Sequence, residues 1–295
     1  QKMAVYKDEN GNIKELSPFC THLGCVVEWN DSEKRWDCPC HGASYSKEGK
    51  VTSGPARKDL KQFVQEKEGE YIIKILEIKD VTHDVKQFIT TKPDGYSYTP
   101  GQATEVAVDK EGYREKFRPF TFTSLNDSNY LEFVIKEYPT DKYPDHTGVT
   151  EEIHNLSEGG RLIIKDPVGT IEYHGKGVFI AGGVGITPFI AIYRDLDSKN
   201  KLSGNKLIFS NKKEGDIILK DELLDKFGND VVFTLSREDL EEYERGRIDK
   251  ELLQKHINDF NQYFYICGPS GFEDSISKAL VDLGADEDKI VVEEW

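Results

Sequence analysis

The sequence predicts three consecutive parts: a small all-β module, an antiparallel β-barrel and an α/β doubly wound domain. Three observations predict this. Residues 1–66 are short alternating segments broken by turn signals such as Asp8-Glu9-Asn10-Gly11, Asn30-Asp31-Ser32 and Lys47-Glu48-Gly49. Residues 67–175 keep β-rich runs at regular spacing, with one short helical pattern. From residue 176 to 295 apolar, buried-type strands alternate with amphipathic segments, which gives a parallel sheet.

Taken in order, the polar stretch 65–70 reads as a linker after the first module. The barrel strands are expected at 71–78, 85–90, 104–108, 118–123, 130–135 and 161–164. A short helix is expected over 150–156, with Thr150 as its N-cap and Glu151 and Glu152 in its first turn. The last domain should pair strands at 178–181, 206–210, 231–235, 263–267 and 290–293 with helices at 188–196, 222–227, 250–256 and 272–283.

Charge and hydropathy exclude several function classes. Lys plus Arg is 39 and Asp plus Glu is 54, a net charge of −15 over 295 residues. That argues against nucleic acid and against an anionic membrane surface, and suits basic redox partners. No apolar run approaches the roughly 20 residues of a membrane span, and no signal peptide is visible, so the sequence predicts a cytoplasmic protein. A chain opening on Gln1, already inside a domain pattern, reads as truncated or processed.

Four of the five cysteines lie between Cys20 and Cys40, and Cys267 stands alone. That clustering is a site rather than a secreted disulfide scaffold. The two segments are Cys20-Thr21-His22-Leu23-Gly24-Cys25 and Cys38-Pro39-Cys40-His41-Gly42. Two thiolates can hold one iron of a [2Fe–2S] cluster and two neutral imidazoles the other. Neutral ligands remove negative charge, favour the reduced form and raise the potential. Two Cys and two His also satisfy tetrahedral zinc. The usual zinc layout groups like with like, whereas here each loop offers one Cys and one His in the pattern, plus Cys25 and Cys40.

These two segments resemble the Rieske iron–sulfur family. The resemblance implies that Cys20 and Cys38 bind one iron, that His22 and His41 bind the outer iron, and that Cys25 and Cys40 form a disulfide. It also implies that Gly54-Pro55-Ala56 covers the cluster and that the potential depends on pH. High-potential members place a Ser and a Tyr where this chain has Ala43 and Tyr45, both donating to sulfur. With Ala43, the expected potential is below the high end of the class, unless Ser44 donates instead.

In the barrel region, Arg118-Pro119-Phe120-Thr121 offers a guanidinium for a phosphate, a ring for stacking and a hydroxyl for a ring nitrogen. Alone, that is also an ordinary strand with an exposed Arg. Gly148-Val149-Thr150 opens a helix, an anion-friendly end. Further on, Gly182-Gly183-Val184-Gly185-Ile186-Thr187-Pro188 follows a buried strand and precedes a helix, the context of a dinucleotide loop. Cys267-Gly268-Pro269 ends a later strand, at the edge where doubly wound sheets bind ligands.

In this order the three elements resemble the ferredoxin–NADP⁺ reductase superfamily. The resemblance implies FAD, favoured over FMN, held by Arg118, Phe120, Thr121, Lys136, Tyr138, Gly148, Val149 and Thr150. Phe120 stands where the family has Tyr, which loses one hydroxyl contact and keeps the stacking surface. It implies NADH or NADPH at Gly182, Gly183, Gly185 and Thr187, with Cys267, Gly268 and Pro269 beside the nicotinamide. Thr121 and Cys267 are the candidate catalytic residues, Cys267 positioning the hydride donor rather than acting as a nucleophile. Trp295 is expected to pack on the flavin. Lys212, Lys213, Ser236, Arg237 and Arg247 are candidates for a 2′-phosphate.

The combined expectation is a reductase that passes hydride from NAD(P)H to flavin and single electrons to the cluster. From there they pass to a partner protein: a ferredoxin, a flavodoxin, a cytochrome or an oxygenase. The alternative is a ferredoxin or flavodoxin–NAD(P)⁺ reductase running in either direction, with the first module as a docking or sensing element. No plant-type ferredoxin spacing is present, so a second iron–sulfur carrier would be another protein.

Overall fold

The structure, a computed structural model, describes residues 3–7, 13–63, 69–169 and 171–293. The chain forms two compact units, Gln1–Glu68 and Gly69–Trp295. The linker stretch at 65–70 falls mostly outside the described residues, and Glu70 already begins a strand.

The first unit holds seven short strands among the described residues. Strands β1 (Ala4–Lys7), β2 (Ile13–Leu16) and β7 (Gln62–Phe63) form one antiparallel sheet. Strands β3 (Glu28–Asn30), β4 (Arg35–Asp37), β5 (Ser44–Ser46) and β6 (Val51–Ser53) form the other. A single core of Leu16, Trp36, Ala43, Tyr45 and Leu60 serves both. Trp29 and Trp36 meet edge to face across the β3–β4 pair at 4.9 Å, a contact that fixes the register.

The second unit begins with the barrel: β8 (Glu70–Thr82), β9 (Val85–Thr91), β10 (Ala103–Val108), β11 (Arg118–Thr121), β12 (Tyr130–Lys136) and β13 (Arg161–Lys165). Their order is β11-β10-β13-β8-β9-β12, every pair antiparallel. Just beyond β11, Thr123 N–H donates to Glu132 O at 2.9 Å, which brings the two edge strands together. Inward residues Ile73, Phe88, Val106, Phe122 and Phe133 fill the interior.

Helix α1 (Val149–His154) opens one residue before the expected cap. Gly148 is the N-cap, with φ of 74°, and no side chain caps the helix. Thr150 lies inside the first turn because its hydroxyl is engaged elsewhere, accepting the Tyr138 N–H at 3.1 Å. Glu151 and Glu152 do occupy that turn.

His154 ends α1, buried beside Phe88, with Nε2 2.9 Å from Ile135 O. A carbonyl only accepts, so Nε2 carries a proton and donates. Burial holds the imidazole below its ordinary pKa, with the Ile135 carbonyl pulling weakly the other way. Because the folded value is depressed, the neutral ring contributes stability that is complete above the unfolded value of about 6.5. That contribution is lost as pH falls through the folded value. His154→Gln should therefore flatten the Tm-against-pH curve below about pH 6.5. Parallel curves for the two proteins would remove His154 from the account.

The remaining elements are β14 (Gly177–Gly182), α2 (Thr187–Ser198), β15 (Lys206–Asn211), α3 (Lys220–Phe227), β16 (Val231–Leu235) and β17 (Glu244–Arg245). They continue with α4 (Lys250–His256), β18 (Tyr263–Cys267), α5 (Phe272–Asp282) and β19 (Ile290–Val292). The sheet runs β17-β16-β15-β14-β18-β19, all parallel. Alternation along β14 sends Phe179 and Ala181 to one face and Val178 and Ile180 to the other, so both faces are covered. The strand order reverses between β15 and β18, on either side of β14. In doubly wound sheets, ligands bind outside the carboxyl ends of the strands at such a switch point.

Candidate functional site

The first unit presents two loops built alike. From Cys20 the chain turns so that Cys20 N–H donates to Cys25 O at 2.7 Å and Gly24 N–H to Cys20 O at 2.8 Å. From Cys38 the same pattern recurs, Cys38 N–H to Ala43 O at 2.7 Å and Gly42 N–H to Cys38 O at 3.1 Å. A disulfide joins Cys25 of one loop to Cys40 of the other, while Cys20 and Cys38 are buried free thiols. Three sulfurs, of Cys25, Cys38 and Cys40, lie within 4.8 Å of one another, but two of them are bonded together and only Cys38 keeps a thiolate to offer. The His22 and His41 rings stand 5.0 Å apart, edge to face. The buried His22 Nδ1 has no hydrogen-bond partner.

Tyr45 is fully buried behind these loops. Its hydroxyl accepts Thr21 N–H at 3.0 Å and lies 3.0 Å from Cys20 Sγ. The Thr21 hydroxyl donates to Lys58 O at 2.5 Å, so the Tyr45 proton has two acceptors within reach, Cys20 Sγ at 3.0 Å and Thr21 Oγ1 at 3.1 Å. Burial pushes the Cys20 thiol up. Hydrogen bonds from Tyr45, the His22 N–H and Cys38 outweigh it, and the group falls below its ordinary value. Burial and the Cys20 contact hold the Tyr45 phenol up, so it stays a donor. Ser44 does not take that role: its hydroxyl donates to Asp37 Oδ1 at 2.6 Å. Gly54 is pressed against the second loop, where a Cβ would lie 2.5 Å from both Gly42 O and Ala43 Cα.

In the second unit, β11 carries Arg118, exposed, with Nη1 donating to Phe117 O at 2.8 Å. Phe120 is half-buried and Thr121 is buried on the same strand. Lys136 pairs with Asp84. Tyr138 stacks on His146, with ring centroids 4.9 Å apart. Gly148 and Val149 are buried at the start of α1, whose first N–H groups carry no side-chain cap.

At the switch point, Gly182 ends β14, and Gly183–Ile186 makes a short 3₁₀ turn into α2. A Cβ on Gly183 would meet nothing within 4 Å, so that face of the loop is open. A Cβ on Gly185 would lie 2.3 Å from Cys267 O, so the glycine loop and the Cys267-Gly268-Pro269 turn are in backbone contact. Thr187 Oγ1 donates to Val184 O at 3.0 Å and closes the turn. Cys267 is buried, and burial raises its pKa well above the ordinary value, with Glu293 and Glu273 adding to it. It is a neutral thiol, unsuited to nucleophilic attack. Trp295 lies outside the described residues.

Three families match successive parts of the chain: the Rieske [2Fe-2S] domain over 1–64, the oxidoreductase FAD-binding domain over 72–173 and the oxidoreductase NAD-binding domain over 179–278. An NADH-cytochrome b5 reductase 2 of Lodderomyces elongisporus is 32% identical, the match covering 71% of this chain and 74% of that protein. The chain is a Rieske-fused member of the ferredoxin–NADP⁺ reductase superfamily. The first module of this Rieske-fused reductase is 52% identical to a Bacillus subtilis protein named as a Rieske 2Fe-2S iron-sulfur protein. That match covers 21% of this chain and 12% of that protein. The FAD/NAD-binding domain of a Vibrio cholerae nitric oxide dioxygenase shares the fold, with a TM-score of 0.66 at 22% identity over 75% of this chain and 96% of that one.

The Rieske-fused reductase is thus an NAD(P)H-dependent oxidoreductase whose cofactors are a [2Fe–2S] cluster, FAD and NAD(P)H. Its residues fit all three. Two buried thiols and two facing imidazoles, one with an orphaned buried nitrogen, suit a mixed sulfur–nitrogen cluster. The uncapped α1 and exposed Arg118 suit a pyrophosphate. The open Gly183 face suits a dinucleotide. The sequence reading missed Asn211, buried at the carboxyl end of β15 with neither amide atom hydrogen-bonded. A polar residue closing an apolar strand beside the glycine loop was its signal. No helix of the described residues is long and apolar enough to cross a membrane.

Proposed function

We propose that the reductase passes hydride from NAD(P)H to FAD, and electrons singly to its Rieske cluster and on to a partner protein. The observation that carries this reading is the presence, on one polypeptide, of a thiol–imidazole site and a glycine loop with an open face at the sheet's switch point. Bound FAD supplies the exchange between two-electron and one-electron chemistry.

The chain's own residues bind and orient. Cys20, Cys38, His22 and His41 are the proposed cluster ligands, clipped by the Cys25–Cys40 disulfide. Arg118, Phe120, Thr121, Lys136, Tyr138, Gly148, Val149 and Thr150 are the proposed flavin contacts. Gly182, Gly183, Gly185 and Thr187 receive the nucleotide, and Cys267, Gly268 and Pro269 align its nicotinamide. The loops after β15 and β16 are zipped together, Ser236 N–H to Asn211 O and Arg237 N–H to Lys212 O, both at 2.9 Å. This keeps the backbones of Lys212, Ser236 and Arg237 together, which supports them as 2′-phosphate candidates. The exposed His41 points to an electron exit at the imidazole end of the cluster site.

Anaerobic stopped-flow absorbance tests the relay. NAD(P)H should bleach the flavin first and the cluster second. Cluster bands unchanged after complete flavin reduction would overturn the relay.

The potential of the cluster should follow the donors around sulfur. Ala43→Ser adds a donor and should raise it, while Tyr45→Phe removes one and should lower it. Each change should be on the order of 1 kcal/mol, roughly 40 mV for one electron. A redox titration in which neither variant moves would remove these groups from the tuning.

A further inference from the structure

The barrel and the doubly wound domain are tied by one guanidinium. Arg194 lies on α2, two turns beyond the glycine loop, and its side chain is 18% exposed. On one side Nε and Nη2 donate to the two carboxylate oxygens of Glu222 on α3, at 2.6 and 2.7 Å. On the other side Nη1 donates across to the barrel, to Glu132 Oε1 at 2.7 Å and to Thr123 O at 2.8 Å. Glu132 Oε1 also accepts the Thr123 hydroxyl at 2.8 Å. Glu132 and Thr123 are buried.

The placement matters for the chemistry. Thr123 follows the flavin-motif strand by two residues, and its N–H makes the bond that closes the barrel. Helix α2 starts at Thr187, the last residue of the glycine loop. The planar fork of Arg is therefore shared between the element that carries the nucleotide loop and the segment that carries the flavin contacts. A Lys offers one point charge and cannot serve both carboxylates and the carbonyl in that geometry. Breaking a buried ion pair leaves an uncompensated charge, so the three groups hold their arrangement strongly.

We propose that Arg194, with Glu132 as its partner, is a positioning residue for hydride transfer. It sets the distance and angle between the nicotinamide and flavin sites, and touches neither. This rests on the functional reading above and adds a determinant to it.

The test uses the full chain with its cofactors bound, in wild-type, Arg194→Lys, Glu132→Gln and Glu222→Gln forms. Arg194→Lys and Glu132→Gln should keep FAD content and nucleotide Kd, and slow anaerobic flavin reduction about tenfold. They should also weaken the long-wavelength absorbance of the nucleotide–flavin complex and speed amide exchange at residues 122–124. Glu222→Gln spares the bonds into the barrel and should do less of each. A lowered Tm with unchanged reduction rate, absorbance and exchange at 122–124 would make Arg194 a packing element and overturn the proposal. Where Glu132→Gln does not fold, Arg194→Lys decides alone, since it keeps a positive charge between the carboxylates. A wild-type protein that neither NADH nor NADPH reduces would instead defeat the functional reading itself, a different outcome from equal rates in all four proteins.

Discussion

Gly185→Ala is expected to slow reduction by NAD(P)H about 100-fold while FAD and the cluster stay bound. The methyl group it adds would lie 2.3 Å from Cys267 O, 2.6 Å from Cys267 C and 2.7 Å from Gly268 N. All three are backbone atoms, so no side chain can rotate away. The glycine loop and the Cys267-Gly268-Pro269 turn must separate, at an overpacking cost of about 1–3 kcal/mol. The unit keeps its large apolar cores and should still fold. The proposed nucleotide site lies between the parts that move, and a displacement near 1 Å in such a site costs about 100-fold in rate. Stopped-flow reduction at saturating NADH and NADPH measures this. Gly215→Ala is the matched control, because a Cβ there meets nothing within 4 Å. Equal rates for the Gly185 and Gly215 variants would mean the two loops do not define the site.

Cys20→Ser should give a yellow protein without the brown chromophore, still reduced by NAD(P)H at the flavin. Serine offers a short, hard oxygen where the cluster needs a soft thiolate. The module need not unfold. Cys20 belongs to the core around Leu16, Trp36 and Tyr45, but serine has nearly the size of cysteine and the Cys25–Cys40 disulfide still joins the two loops. Flavin reduction should persist because the second unit, Gly69–Trp295, has its own cores. Iron and sulfide analysis with flavin-reduction kinetics reads both halves. Wild-type iron and sulfide would refute Cys20 as a ligand. Loss of flavin reduction would refute the independence of the two units.

Much of this was legible in the sequence, for local reasons. Period-two alternation and the strand–helix rhythm marked the barrel and the parallel sheet. The glycine-rich loop and the paired Cys–His segments are short motifs whose chemistry depends on neighbours in the chain. What escaped was set by contacts distant in sequence. Arg194 meets Thr123 and Glu132 across separations of 71 and 62 residues, and nothing local marks it apart from any helix Arg. Tyr45 and Ser44 are adjacent hydroxyls, and only the placement of Asp37 shows that Ser44 is already engaged. The residue type of Thr150 suggests a cap, but the Tyr138 N–H claims its oxygen and leaves Gly148 to start the helix.

Val85 and Val134, on barrel strands β9 and β12, belong to the same apolar cluster as Phe189 and Tyr193 of α2. Pulling the two lobes apart would wet those side chains at a cost of roughly 1.5–3 kcal/mol each. Separating the lobes carries that penalty before any dinucleotide enters the proposed site. The spacing of the proposed flavin and nucleotide loops is thus held by packed side chains as well as by hydrogen bonds.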